Sequence, residues 1–98
     1  MRVLRRPLFL DDLADAYAHL ADQSPRAAEG LLEEVQLLVD LLAEFPHLGR
    51  PRDELRSGVR SFRVRRFRHL IFYRVTPDAL VLLRILHGAR DLSRENLS

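Results

Sequence analysis

The stretch from Gly58 to Asp91 constrains the fold of this chain most, because it combines the apolar content of buried strands with arginines that recur to its end. Such a pattern predicts a β-sheet that carries fixed positive charge. The arginines are Arg60, Arg63, Arg65, Arg66, Arg68, Arg74, Arg84 and Arg90. This much charge within the folded part of the chain predicts a negatively charged partner.

Three strands are predicted within this stretch. Residues 59–65 alternate between two faces, which is the period of a strand. The alternation loses phase at residues 65–66, which indicates a tight turn or a bulge before a second strand from Arg68 to Val75. Residues 76–78, with the sequence TPD, predict the next turn. The last strand, from Leu80 to His87, is almost continuously apolar, so we expect it to be central in the sheet.

The first half of the chain predicts a short strand at residues 1–5 and then two helices. Pro7 suits the first turn of the first helix, which we expect to end near Asp22. Ser24 can cap the second helix, with Pro25 in its first position. Apolar residues then recur at steps of three and four: Ala28, Leu31, Val35, Leu38, Leu42 and Phe45. This spacing places all six on one helix face, packed against the first helix and the sheet.

The predicted order is strand, helix, helix, strand, strand, strand, or β-α-α-β-β-β. It indicates an α+β fold in which an antiparallel helical hairpin covers one face of a small, mostly antiparallel sheet. We expect the helices to leave the other face uncovered. Pro46, Gly49 and Pro51 predict a loop between the two layers. A chain of 98 residues is expected to form a single domain, residues 1–98.

Composition narrows the classes of function. The chain has no cysteine, which excludes disulfides and thiolate chemistry and suits a reducing compartment. The histidines are His19, His47, His69 and His87. They are far apart and match no short metal-binding motif, so we expect no metal and no cofactor. The amino terminus is too weakly apolar for a signal peptide, and no segment has the ~20 apolar residues of a membrane span. We therefore expect a cytoplasmic protein without a membrane partner.

Charge is divided unevenly along the chain. Residues 1–49 contain four arginines and nine acids, a net charge of −5, whereas residues 50–98 contain twelve arginines and five acids, a net charge of +7. All of these cations are arginine, whose planar guanidinium suits bidentate contacts with phosphate or carboxylate. A coding bias towards arginine also explains the absence of lysine. It does not explain why the arginines collect in one half.

The predicted order, together with short segments spread along the chain, resembles the ParE/RelE superfamily of bacterial toxins, and more closely its ParE branch. The segments are Pro7 with Asp12-Leu13, SPRAA at 24–28, PHLGR at 46–50, GVRSF at 58–62, IFYRV at 71–75 and RILHGARD at 84–91. The resemblance implies the toxin of a type II toxin–antitoxin system, often described as a plasmid-stabilisation protein. It also implies a hetero-oligomer with a ParD-like antitoxin. The implied action is inhibition of DNA gyrase in ParE relatives, and cleavage of messenger RNA on the ribosome in RelE relatives.

The residues themselves favour binding over catalysis. Cleavage of RNA requires a base, an acid and cations that offset the charge of the transition state. The chain has no lysine and no tyrosine after Tyr73, so the arrangements of ribonuclease relatives cannot be carried over. His87 is the one candidate acid or base, and a histidine that ends an apolar strand is more often structural. We therefore expect a gyrase inhibitor without covalent chemistry or sequence-specific nucleic-acid binding, with a RelE-like endoribonuclease as the alternative.

The candidate target-binding residues are Arg63, Arg65, Arg68, Arg84, His87 and Arg90. We expect the first three to be exposed near the turn between two strands. Arg84 interrupts an apolar strand and needs a partner for its charge, either Asp91 or an acid from a helix, unless its head reaches the sheet surface. Arg90 lies just past the last strand, in the region that the resemblance makes relevant for toxicity.

Overall fold

The computed structural model describes residues 1–89 and 92–98, and its elements follow the predicted order. They are β1 (Arg2–Arg5), α1 (Pro7–Gln23), α2 (Pro25–Glu44), β2 (Arg50–Pro51), β3 (Val59–Arg63), β4 (His69–Val75), β5 (Ala79–His87) and a 3-10 turn (Leu92–Arg94). The α+β fold predicted from the sequence is confirmed. The structure adds β2, a two-residue strand within the segment for which a loop was predicted. Neither helix in the described part of the chain is long and apolar enough to cross a membrane.

The five strands form one sheet in the order β1-β5-β4-β3-β2. β1 pairs with β5 in parallel, and the other neighbours are antiparallel. The expected interior position of β5 is confirmed, because β1 and β4 flank it. Its register skips one residue: Phe72 pairs with Arg84 and Tyr73 pairs with Leu82, which leaves Leu83 as a bulge.

The helical hairpin covers one face of this sheet. The buried side chains between the two layers include Phe9, Leu31, Val35, Leu38, Leu42, Ile71, Tyr73, Leu80, Leu82 and Ile85. Burying each large apolar side chain contributes roughly 1.5–3 kcal/mol, so this layer is the main source of stability. Five of the six predicted stripe residues are buried, but the prediction for Phe45 is wrong. Phe45 is 52% exposed, because α2 ends at Glu44 and the non-helical backbone of Phe45 takes its side chain out of the stripe.

The helices leave the opposite face of the sheet uncovered, as expected, but other segments of the chain pack against it. A second buried cluster contains Val59, Phe72, Ala79, Val81, Leu83, Leu86 and Leu97. Leu55 and Leu92 pack against it, so the chain's own 52–58 loop and carboxy-terminal segment cover this face. The guanidinium carbon of Arg52 lies 5.7 Å from the centre of the Phe72 ring. The same guanidinium donates a hydrogen bond to Ser61 Oγ at 3.1 Å, which fixes the loop on the sheet.

Two local features confirm predictions made from the sequence. The Ser24 hydroxyl caps α2 by accepting a hydrogen bond from the Ala27 backbone N–H at 3.2 Å. Between β3 and β4 the chain makes a tight turn, in which Arg66 has a φ of 71°. This left-handed backbone reverses the chain within residues 64–68, and it explains the loss of phase in the alternating pattern.

Candidate functional site

The ends of three strands meet at one end of the sheet. Arg63, at the end of β3, pairs with Leu70 in β4, and Leu70 pairs with Leu86 in β5. The antiparallel register thus brings the start of β4 beside the ends of β3 and β5. A shallow groove of about 460 Å³ lies there, and we call it the end groove. It is lined by Arg63, Arg68, Leu70, His87, Gly88 and Ala89.

Backbone hydrogen bonds hold the end groove in shape. The Gly88 N–H donates to the Arg68 carbonyl at 2.7 Å, and a Cβ at Gly88 would lie only 3.1 Å from that oxygen. The Arg63 Nε donates to the Phe67 carbonyl at 3.0 Å. Arg63 and Arg68 are exposed, so their guanidinium groups face solvent on a fixed backbone. Such a surface can contact an anionic group with little further ordering of the main chain.

The His87 ring is tied to the turn that follows β5. Its Nδ1 accepts a hydrogen bond from the Ala89 N–H at 3.1 Å. In the neutral ring the proton then resides on Nε2, which makes this nitrogen a donor. Nε2 of the exposed His87 side chain is therefore a hydrogen-bond donor, and the lone pair that a general base needs is already engaged at Nδ1.

His87 also contacts a second histidine. The rings of His69 and His87 stack edge to face with centres 5.5 Å apart. Burial lowers the pKa of His69, and the nearby His87 and His19 lower it further. The Nδ1 atom of His69 is buried without a hydrogen-bond partner, which also favours the neutral ring. Within residues 1–89 and 92–98, no cluster of three or more histidines and acids could hold a metal ion.

Arg84 lies away from the end groove and is buried. Its Nε and Nη2 donate to the two carboxylate oxygens of Asp12 at 2.6 and 2.9 Å, so the required partner is an acid from a helix. The hydrogen bond with Asp12 raises the pKa of Arg84 despite the effect of burial. Its Nη1 donates to the Asn96 carbonyl at 3.2 Å and lies 3.4 Å from Glu95 Oε2. Arg84 therefore links α1, β5 and the carboxy-terminal segment. Its contacts stabilise the fold, and it does not line the end groove.

Arg65 lies in the turn between β3 and β4 and does not line the end groove. It lines a second groove, between α2 and β3, which we call the edge groove. Arg90 lies outside the described residues. The structure thus brings three of the six predicted residues together in the end groove, namely Arg63, Arg68 and His87.

The sequence analysis did not predict that the Tyr73 hydroxyl holds the 46–50 segment in place. Tyr73 is buried in the core, and burial raises the pKa of its hydroxyl. That hydroxyl donates to the Pro46 carbonyl at 2.8 Å and accepts from the Gly49 N–H at 2.7 Å. Arg60 adds bonds to the carbonyls of His47 and Gly49 at 3.2 and 2.8 Å. The glycine within PHLGR was the available signal, because a close backbone approach requires it.

The fold and the end groove define a small α+β domain that presents exposed cationic side chains at one end of its sheet. The family described as "ParE toxin of type II toxin-antitoxin system, parDE" matches residues 3–92. The chain belongs to this ParE toxin family, as the resemblance in its sequence segments implied.

Individual relatives agree with this assignment. Toxin ParE3 of Caulobacter vibrioides is 30% identical over 95 residues, which cover 96% of this chain and 93% of the relative. Toxin ParE1 of Mycobacterium tuberculosis is 38% identical over 68 residues, which cover 68% of this chain and 67% of the relative. The solved structure described as "Chromosomal ParDE TA system from P. aeruginosa" has the same fold. It aligns with a TM-score of 0.77 and 23% identity, covering 89% of this chain and 95% of that chain.

Proposed function

We propose that this toxin inhibits DNA gyrase by binding it, and that a ParD-like antitoxin neutralises it in a hetero-oligomer. The observation that carries the proposal is the lining of the end groove, where Arg63, Arg68 and His87 converge and no acid stands among the described lining residues. Two guanidinium groups and a ring N–H offer donors to carboxylate or phosphate oxygens. Gyrase, or the DNA that it holds, supplies such groups. The proposed site of action is the cytoplasm.

The state of His87 supports binding rather than bond cleavage. A general base needs a free lone pair within reach of the proton that it removes. The Nδ1 lone pair of His87 is engaged by the Ala89 N–H, and Nε2 carries the proton of the neutral ring. In this arrangement His87 is suited to hold an anionic partner by a hydrogen bond.

A RelE-like, ribosome-dependent endoribonuclease is the second candidate. The observation in its favour is that His87 shares one groove with two arginines, which could offset charge on a reacting phosphate. This reaction would require His87 to release the Ala89 N–H, either to free Nδ1 as a base or to protonate the ring so that it acts as an acid.

A supercoiling reaction with purified gyrase tests the proposal. The unaltered toxin is expected to inhibit supercoiling, and Arg68→Ala is expected to inhibit it about tenfold less, a difference of about 1.4 kcal/mol in binding. Arg26→Ala is the matched control, because Arg26 is exposed on α2 and lies outside the end groove. The gyrase proposal fails if saturating toxin leaves supercoiling unchanged while its expression still stops growth.

Mapping of transcript ends after induction separates the two candidates. Gyrase inhibition creates no new ends within codons, whereas a ribosome-dependent nuclease does. If such ends appear, and disappear with His87→Ala, the second candidate replaces the first.

A further inference from the structure

We propose that the end groove binds the phosphate backbone of duplex DNA, without preference for sequence. The inference rests on the proposed inhibition of gyrase, because it takes the duplex to be the DNA that gyrase holds, and it names the anionic group that the groove receives. The donors are the guanidinium groups of Arg63 and Arg68 and the Nε2–H of His87. The contact makes and breaks no covalent bond.

The donors of the end groove belong to three neighbouring strands. Arg63 ends β3, Arg68 directly precedes β4 and His87 ends β5. Neighbouring strands lie about 4.8 Å apart, so the backbones of β3 and β5 are roughly 10 Å apart. Each strand of duplex DNA carries one negative charge about every 3.4 Å along the helix axis. A polyanion therefore offers each guanidinium its own phosphate, and the two like charges need not be drawn together.

Both guanidinium groups are available to a partner. Arg63 and Arg68 are exposed, and in the described part of the chain no carboxylate lies within ion-pair distance of either. The bond from Arg63 to the Phe67 carbonyl uses Nε, so the donors of its two terminal nitrogens remain for a ligand. Phosphate binding would thus displace water and counterions from these charges, not an internal ion pair.

Acidic residues border the end groove on the helical side. His87 also lines a neighbouring cleft that includes Asp15 of α1. Arg66, in the turn between β3 and β4, shares a pocket with three glutamates of α2, namely Glu29, Glu33 and Glu34. These carboxylates repel a polyanion from the helical layer. The duplex is therefore directed to the strand ends, where the described lining contains no acid.

The form of the end groove favours DNA over an acidic segment of a protein. The groove is shallow, and the apolar side chains in its described lining are those of Leu70 and Ala89. Tight protein contacts are centred on large side chains in desolvated pockets, for which this groove offers little room. A phosphate backbone needs only charged donors on a fixed main chain. The backbone hydrogen bond between Gly88 and Arg68 fixes the main chain here.

Binding is tested with the full toxin and a fluorescein-labelled duplex of about 20 base pairs, without gyrase, by anisotropy between about 25 and 200 mM salt. Two phosphate contacts predict that the logarithm of the binding constant falls with the logarithm of salt concentration with a slope of about −1.8 or steeper. Arg68→Gln should reduce the slope by about 0.9 and weaken binding about tenfold. Arg26→Gln is the matched control, because it removes the same charge from an exposed arginine of α2 and should keep the slope. Equal slopes for the two variants would overturn the proposal.

A charge-preserving variant and a change of nucleic acid sharpen the test. Arg68→Lys retains the charge and should retain the slope, and a slope lost in this variant as well would contradict a phosphate contact. Duplexes of two unrelated sequences should bind within about twofold of each other, because backbone contacts carry no sequence information. Preference for single-stranded RNA of the same length over the duplex would contradict the inference and favour the ribonuclease candidate.

The outcomes separate this inference from the proposed function. If the toxin inhibits supercoiling but the free duplex does not bind, or binds with a slope that Arg68→Gln leaves unchanged, the inference fails and gyrase inhibition stands. The end groove would then receive a carboxylate of gyrase. If the duplex binds as expected but saturating toxin leaves supercoiling unchanged, the gyrase proposal fails and the phosphate site stands.

Discussion

Arg84 and Asp12 lie 72 positions apart in the chain and form a two-pronged ion pair at 2.6 and 2.9 Å. Each side chain is 11% exposed. The same carboxylate accepts the Ile85 N–H at 3.2 Å, on the side of β5 where β1 has already ended. Asp12 therefore completes the backbone pairing of β5 and neutralises the one buried cation of that strand.

Removal of Asp12 is expected to be costly. Asp12→Ala leaves the Arg84 guanidinium buried without its main partner, so we expect the free energy of unfolding to fall by about 3 kcal/mol. Urea denaturation measures the change. Asp11→Ala is the control, because Asp11 is exposed beside Asp12, and it should change stability by less than about 0.5 kcal/mol. Similar losses for the two variants would show that the ion pair does not matter for folding.

Two glycines are expected to respond to alanine in opposite directions. A Cβ at Gly49 would come within 2.7 Å of Tyr73 Cε1 and would also meet the hydroxyl, so Gly49→Ala should lower stability by about 1–3 kcal/mol. Gly30 lies within a helix, and among the described residues a Cβ there would meet only Phe67, at 3.8 Å. Gly30→Ala should therefore raise stability by about 0.5–1 kcal/mol. Thermal melting of both variants checks the prediction, which is wrong if the two changes have the same sign.

Two neighbouring leucines of α2 differ in how far their side chains are exposed to solvent. Leu38 is 7% exposed and Leu37 is 63% exposed. Leu38→Ala should cost about 2–5 kcal/mol through lost burial and a cavity, whereas Leu37→Ala should change stability by less than about 0.5 kcal/mol. Denaturant titration compares the two. A large loss of stability in Leu37→Ala would mean that this exposed side chain contributes to folding of the isolated chain.

Stability is expected to decline in mild acid because of His69. Burial holds the pKa of His69 below its ordinary value of 6.5, so the unfolded chain binds more protons as the pH falls below that value. The contribution of His69 is therefore complete above about pH 6.5 and is lost as the pH decreases from there towards its lowered pKa. The free energy of unfolding, measured between pH 7.5 and 5, should show this slope.

Substitution of His69 tests whether this histidine causes the pH dependence of stability. His69→Gln should flatten it, because glutamine does not titrate. His47→Gln is the control, since His47 is exposed on the 46–50 segment, and it should keep the slope. A slope that survives His69→Gln unchanged would contradict its assignment to His69.

Much of the fold was predictable because its signals are local. The apolar steps of three and four residues give α2 its buried face, and a hydroxyl three residues before an orphan N–H is enough for the Ser24 cap. Alternation along β3 and the continuous apolar run of β5 likewise depend only on neighbours in sequence. The error at Phe45 has a local cause as well, since the helix ends one residue before it.

The sequence by itself determined the order of the elements, their buried faces and the concentration of arginine on the strands, because each follows from residues close together in the chain. Only the tertiary structure decided that Asp12 pairs with Arg84, that the carboxy-terminal segment covers the second face of the sheet, and that Arg63, Arg68 and His87 share one groove. The physical reason is that strand register and a bulge at Leu83 set which distant side chains meet. Periodicity places a residue on a face, but it does not specify what that face contacts.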